Sequence, residues 1–191
     1  MRVVAFNGSP RGESNTAILV RHVFAELQKE GIETEMVSLA GKPLRGCLGC
    51  YKCYINQNRQ CVQTEDALNS YVQKMAEADG IILASPVYVA SVPSEMKALI
   101  DRAVMVNKAN GGVLRRKVGT AVVAARRGGM MTTYDTLNHF FLVSEMIVPG
   151  SSYWSFAIGL EKGDVDKDQE GIQTMQVLGQ NMAWLMKRLQ G

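Results

Sequence analysis

Short apolar runs bounded by Gly, Pro or Ser alternate along the chain with longer stretches in which apolar residues recur every three or four positions. The first pattern is that of strands buried on both faces and the second that of covering helices, so the order predicts a parallel sheet layered between helices. The first run is Val3 to Phe6. It breaks at Asn7-Gly8-Ser9-Pro10-Arg11-Gly12, after which Ala17, Val20, Phe24 and Leu27 share one helical face that ends near Gly31. Thr34 to Leu39 reads as a second strand, Asp66 to Ala78 as a helix and Ile81-Ile82-Leu83-Ala84 as a fully buried strand. Met96, Leu99, Ile100 and Ala103 form the inner face of the next helix. Val118 to Ala125 makes a fourth strand, Thr132 to Met146 a helix, and Ile147-Val148 a short fifth strand. Ile172, Met175, Leu178, Met182, Leu185 and Leu189 give the buried stripe of a last helix. Between these, Ser151 to Lys167 carries glycines and charges and reads as an irregular surface loop at a subunit contact.

Five strands in this alternation predict a flavodoxin-like, doubly wound α/β fold with helices on both faces and the spatial order 2-1-3-4-5. At 191 residues and 47% hydrophobic, the chain can bury one full core, so residues 1–191 read as a single domain with a cysteine-rich insertion at about 46–62. The net charge of +3 is small, and Arg115-Arg116-Lys117 and Arg126-Arg127 are too short for a nucleic-acid stripe. No stretch approaches the ~20 apolar residues of a membrane span, and the first apolar run is too short for a signal peptide. The expectation is a cytoplasmic protein that binds neither nucleic acid nor membrane.

A ligand of a doubly wound sheet sits beyond the carboxyl ends of the strands, where the winding reverses. The loop GSPRGESNT after the first strand offers backbone N–H groups and the side chains of Ser9, Arg11, Ser14, Asn15 and Thr16 to an anion at a helix N-terminus. It lacks a Walker ending and the three-glycine dinucleotide spacing, so it suits one terminal phosphate. Its bland alternative is an ordinary turn capped by Ser14 or Asn15. After the third strand, Pro86 stiffens a loop in which the amides of Val87, Tyr88 and Val89 can meet the edge of a planar ring while Tyr88 packs against it. Arg126, Arg127, Gly128 and Gly129 leave the fourth strand on the same rim, where glycine permits close backbone approach and arginine meets anionic oxygens. Three loops converging on one switch point describe a mononucleotide site.

All four cysteines fall in GCLGCYKCYINQNRQC, as Cys47, Cys50, Cys53 and Cys61. In a reducing compartment such a cluster speaks for metal ligands or redox thiols rather than disulfides. Two successive x2 gaps can wrap three sulfurs around a cubane, which a fourth closes into a [4Fe–4S] cluster. A zinc site, a redox Cys-x-x-Cys pair and idle thiols in a plain flavin reductase remain as alternatives. His22 and His139 lie in predicted helices without a partner motif and receive no ligand role. The pair Glu65-Asp66 precedes a predicted helix and is read as complementing its dipole.

GSPRGESNT, PVYVASVPSEMKALIDR at 86–102 and the ending GDVDKDQEGIQTMQVLGQNMAWLMK resemble the NADPH-dependent FMN reductase superfamily. With the compact cysteine segment, the chain is similar to its iron-sulfur flavoproteins. The resemblance implies FMN, its phosphate held by Ser9, Arg11, Ser14, Asn15 and Thr16 and its ring by Pro86 to Val89 and Arg126 to Gly129. It implies a [4Fe–4S] cluster on Cys47, Cys50, Cys53 and Cys61. It also implies a homodimer or homotetramer in which the cysteine loop of one subunit nears the flavin of its neighbour.

The resulting expectation is an electron-transfer flavoprotein. A flavin takes two electrons together and releases them singly, and a cubane moves one at a time, so the two convert between modes. Donors of the expected class are ferredoxin or NAD(P)H, and the acceptor is a small molecule. The reactive atoms belong to the cofactors, and no catalytic side chain is assigned. A cluster-free NAD(P)H-dependent FMN or quinone reductase and a non-enzymatic redox or metal sensor are the rival functions.

Overall fold

The structure is a computed structural model and describes residues 1–190. Five parallel strands form its sheet: β1 (Arg2–Asn7), β2 (Glu33–Ser38), β3 (Gly80–Pro86), β4 (Val118–Ala125) and β5 (Phe156–Ile158), in the order β2-β1-β3-β4-β5. The helices are α1 (Asn15–Lys29), the short α2 (Lys52–Asn56), α3 (Leu68–Glu77), α4 (Ser94–Ala109), α5 (Met130–Val143) and α6 (Gln169–Gln190), with a 3-10 turn at Asp164–Lys167.

Side chains of a strand alternate between faces, and here both faces are covered. Val4, Phe6, Ile81, Leu83, Ala121 and Val123 point into a layer shared with α3, α4 and α5. Val3, Ala5, Ile82, Ala84, Val122 and Ala124 point the other way, against α1 and α6. This explains why the strands read as continuous apolar runs. The expected inner faces of the first helix (Ala17, Val20, Phe24, Leu27) and the fourth (Met96, Leu99, Ile100, Ala103) are buried throughout.

Three expectations need correction. Ile147-Val148 is not the fifth strand: Ile147 makes a single parallel bridge to Val118, and Pro149 follows, a residue with no N–H to extend a ladder. The fifth strand is Phe156–Ile158, paired with Val123 to Ala125 inside the stretch expected to be irregular. In α6 the stripe ends at Met182, Ala183 and Met186, while Leu189 is exposed.

Parallel pairing sets Asn7, Ser38 and Ala84 side by side at the carboxyl ends of β2, β1 and β3, and Gly8 N–H donates to Ala84 O at 2.8 Å. The chain leaves β1 toward β2, then crosses back to β3 on the other side. That reversal fixes where a ligand can enter between the loops. No helix among the described residues is long and apolar enough to cross a membrane.

Candidate functional site

A cleft of about 140 Å³ opens at the reversal. Its walls carry Ser9, Arg11, Ser14, Asn15 and Thr16 from the loop after β1, Pro86, Val87 and Tyr88 from the loop after β3, and Arg126 from the loop after β4. Sequence reasoning missed its remaining wall, Gly159, Leu160 and Lys162 after β5, together with Glu13 and Ala124. Without a fifth strand at Phe156–Ile158, nothing in the sequence brings that loop to the rim. Gly159 is needed there: a Cβ would lie 2.8 Å from Val165 N and 2.9 Å from the Asn15 side-chain nitrogen.

Ser14 is the N-cap of α1, its Oγ accepting from Ala17 N–H at 3.2 Å. Capping and anion binding are compatible, because an N-cap leaves its hydroxyl hydrogen and the first helical N–H groups free to donate. Ser9 Oγ accepts from Arg11 N–H at 3.2 Å and so shapes the loop around the same opening. Asn15 spends both ends of its amide on the β5 loop, donating to Glu161 O at 2.9 Å and accepting from Gly163 N–H at 2.8 Å. Among the described residues Arg11, Arg126 and Lys162 have no ion-pair partner. Glu13, the acid at the rim, is bound to Arg21 at 2.7 and 2.8 Å, and this guanidinium holds its carboxyl below the usual range. The cleft therefore presents a helix N-terminus and uncompensated positive charge, the requirements for a phosphate.

Val89, Arg127, Gly128 and Gly129 do not line this cleft. Val89 stands at the tip of a tight turn in which Tyr88 and Ser91 exchange N–H to carbonyl bonds at 2.8 and 3.0 Å. Both central residues, Val89 (φ 49°) and Ala90 (φ 55°), are left-handed without being glycine. Such a conformation costs on the order of 1–3 kcal/mol per residue and persists only where its surroundings impose it. Here Thr132 Oγ1 donates to Ala90 O at 2.6 Å, and Gly129 lies beneath, where a Cβ would come within 2.8 Å of Ala90 Cα. The turn is thus held rigidly beside the cleft, with Tyr88 half exposed above it.

The cysteine segment leaves β2 and returns to α3 across the outside of α4. Cys47 and Cys50 are exposed, while Cys53 and Cys61 are half buried against the core. Burial pushes the Cys53 thiol up, and the neighbouring Cys50 and Cys61 add to the effect. Cys47 lies at the edge of a hollow between α4 and α5, which His139 also lines. No group of three or more His, Cys, Asp or Glu among the described residues is close enough to enclose a metal ion. His22 sits on the surface, 3.1 Å from Asp166.

The roots of the segment are anchored by Arg102 on α4, which is 1% exposed. Its guanidinium donates to Arg45 O at 3.1 Å, to Gln63 O at 3.1 Å and to Asp66 Oδ2 at 2.5 Å. Arg45 and Gln63 stand just outside Cys47 and Cys61, so one buried side chain closes the loop that carries all four thiols. Asn69 adds a second clamp, accepting from Cys61 N–H at 2.7 Å and donating to Cys61 O at 2.9 Å. The expectation that Asp66 serves a helix dipole gives way to this pairing, though Asp66 Oδ1 does accept from Leu68 N–H at 3.2 Å.

Burial alone pushes the Asp66 carboxyl up, but Arg102 and the N–H groups of Arg45 and Leu68 outweigh it and hold it below the usual carboxylate value. A carboxyl lowered in the folded state contributes stability that is fully present above its unfolded value, about 3.9, and is lost as pH falls through the lower folded value. The urea midpoint should accordingly fall on acidification below about pH 4, and fall less in Asp66→Asn. Equal acid profiles in the two proteins would remove Asp66 from the account.

The family model described as NADPH-dependent FMN reductase matches residues 1–161. An iron-sulfur flavoprotein of Methanocaldococcus jannaschii is 41% identical over 98% of this chain and 98% of its own length. An iron-sulfur flavoprotein of Methanosarcina thermophila is 28% identical over 100% of this chain and 97% of its own. Among solved structures, RosB with a bound 8-demethyl-8-formylriboflavin-5'-phosphate intermediate superposes with a TM-score of 0.83 at 19% identity, covering all of this chain and 80% of that one.

Proposed function

Because the chain belongs to the NADPH-dependent FMN reductase family, and within it to the iron-sulfur flavoproteins, we propose that it is an FMN-dependent oxidoreductase that relays electrons from a one-electron donor such as ferredoxin, or from NAD(P)H, to a small acceptor, with a [4Fe–4S] cluster as its second centre. The observation that carries the flavin assignment is the cleft at the reversal of the sheet, where a helix N-terminus meets Arg11, Arg126 and Lys162. Its 140 Å³ is below the ~300–1,000 Å³ of sites that enclose a whole ligand, and suits the phosphate end of a mononucleotide.

The residues divide the work. Ser9, Ser14 and Thr16 supply hydroxyls, Asn15 and Thr16 first-turn N–H groups, and Arg11, Arg126 and Lys162 charge. Asn15 also ties α1 to the β5 loop, so it positions that wall as well as lining it. Pro86 to Val89 and the loop at 126–129 remain the elements for the ring, the first as a preset turn and the second as its support. Bound FMN supplies the exchange between paired and single electrons. No titratable side chain is required to move a proton in this scheme, and none in the cleft is set up as an acid or base.

For the cluster, the chemistry of the donor set fits: four thiols lie on one short segment, none of them in a disulfide. The cage itself is not closed in this conformation, so the sulfurs must draw together around iron. Exposed Leu48, Tyr51 and Ile55 on the same segment leave it an apolar outer face. We take this face to be covered in a homodimer or homotetramer; a monomeric mass in solution at micromolar concentration would exclude that assembly.

The spectrum of anaerobically purified protein, with iron and flavin assays, tests the assignment. FMN with about four irons per chain supports it, FMN without iron favours a cluster-free reductase, and iron or zinc without flavin favours a sensor. Arg11→Ala should weaken FMN binding by roughly tenfold, about 1.5 kcal/mol, the lower end for a charge-assisted contact because Arg11 is exposed. Unchanged affinity by fluorescence titration would take Arg11 out of the phosphate site.

A further inference from the structure

We propose that Arg102 is a positioning residue for the second redox centre: its Nε–H is a donor held for the Cys61 sulfur, and its fixed positive charge favours the reduced form of the cluster. The inference rests on the reading of Cys47, Cys50, Cys53 and Cys61 as cluster ligands.

The geometry that carries it is an imbalance in how this guanidinium is used. Its terminal nitrogens are committed to Arg45 O, Gln63 O and Asp66, as described, but Nε is buried without any hydrogen-bond partner. A buried N–H with no acceptor is costly, and native proteins keep few of them. Asp66 and Cys61 are the two side chains with hydrogen-bonding atoms close to the Arg102 guanidinium. Asp66 already holds a terminal nitrogen. The Cys61 sulfur is therefore the neighbour left to meet the orphaned Nε–H.

Position and chemistry agree on the consequence. The two carbonyls that Arg102 grips lie two residues before Cys47 and two residues after Cys61, so the guanidinium sits at the neck of the segment with its fourth donor face open. Asn69 fixes the Cys61 backbone from both sides, which limits the sulfur to small movements around this charge. Four thiolates make an iron-sulfur centre strongly negative, and taking up one further electron adds to that charge without making or breaking a bond. Hydrogen bonds to ligand sulfurs and nearby fixed charge are what set such potentials. Arginine suits the task because it stays protonated under all relevant conditions and its planar fork can serve carbonyl, carboxylate and sulfur together. Asp66 cancels part of the charge, so the two residues should act on the potential with opposite sign.

The experiment compares the unsubstituted protein with Arg102→Lys and Asp66→Asn, purified anaerobically and assayed for FMN and iron per chain. Arg102→Lys keeps a charge beside Asp66 and removes the Nε–H. Its cluster midpoint, followed by EPR or absorbance during a redox titration, should fall, with the reduction equilibrium weakened about tenfold or more, equivalent to about 59 mV for one electron. Its iron should also be lost faster to a chelator, while FMN content stays the same. Asp66→Asn should move the midpoint upward. Iron-loaded variants whose midpoints match the unsubstituted protein would overturn the inference alone, as would shifts of the opposite sign. If Arg102→Lys loses FMN together with iron, the Asp66→Asn midpoint decides: upward supports the inference, and unmoved or lowered overturns it. Loss of FMN and iron in both variants makes the pair structural and overturns it. Unsubstituted protein without iron overturns the underlying reading and this inference with it.

Discussion

Replacing Cys50 with Ala is expected to strip the chain of most of its iron while FMN remains bound at the original stoichiometry. Cys50 is exposed and contributes nothing to the core, so its loss creates no cavity and frees no buried polar group. A cubane held by four thiolates loses one ligand of four, and no other Cys exists in the chain to replace it. The cleft proposed for FMN is built from the loops after β1, β3, β4 and β5 and draws no residue from the cysteine segment. Electron transfer from a one-electron donor such as ferredoxin should therefore collapse, whereas reduction of the bound FMN by dithionite should persist. If Cys50→Ala lost FMN or failed to fold, the cluster would be a structural element; if ferredoxin-linked transfer survived, the cysteines would not be the electron port. Cys53 and Cys61 are less suitable for this test, because both are half buried against the core and their removal mixes packing with ligation.

The contrast between these thiols marks where the sequence ceases to be readable. Strands buried on both faces announce themselves as unbroken apolar runs, so β1, β3 and β4 and their parallel order are legible. Phe156–Ile158 is three residues long, lies at the sheet edge and is only partly buried, so it carries no such run, while Ile147-Val148 has the right residue types and only a single bridge. Missing β5 hid the wall made by Gly159, Leu160 and Lys162. The loop after β1 was legible as a wall of the cleft because a strand end followed by a helix N-cap needs only local residues. The segment around the cysteines is the reverse case. Arg102 falls at the i+3 position from Leu99 and the i−4 position from Val106, both buried, so a charge on the inner stripe of α4 is visible in the sequence. Its partners Asp66, Gln63 and Arg45 lie 36 to 57 residues away, and no periodicity links them. The segment consequently reads as a free-standing insertion, and only the folded chain shows it fastened to the core through Arg102 and Asn69.

That ion pair should be among the most sensitive points in the molecule. Arg102 and Asp66 side chains are 1% and 5% exposed, and removing one partner leaves a charge and several hydrogen-bonding groups buried without compensation. Arg102→Met is expected to cost about 3–5 kcal/mol, the usual range for breaking a buried pair from one side. Three acceptors lose their donor at once: the Arg45 and Gln63 carbonyls, which can turn to solvent only if the cysteine segment swings away, and the Asp66 carboxylate, which cannot. Asp66→Asn should cost less, because its amide oxygen still accepts from the Arg45 or Leu68 N–H. Combining Arg102→Met with Asp66→Asn removes the unpaired charge, so the double variant should recover part of the loss, with a coupling of about 1–3 kcal/mol between the two sites. Urea unfolding of iron-free protein, followed by far-UV circular dichroism at constant FMN concentration, measures this without the added stability of a bound cluster. An Arg102→Met midpoint within the equivalent of about 1 kcal/mol of the unsubstituted protein would mean that the segment is not fastened through Arg102. Strictly additive losses would mean that Arg102 and Asp66 act on stability independently, and that the anchor lies in the carbonyl bonds rather than in the ion pair.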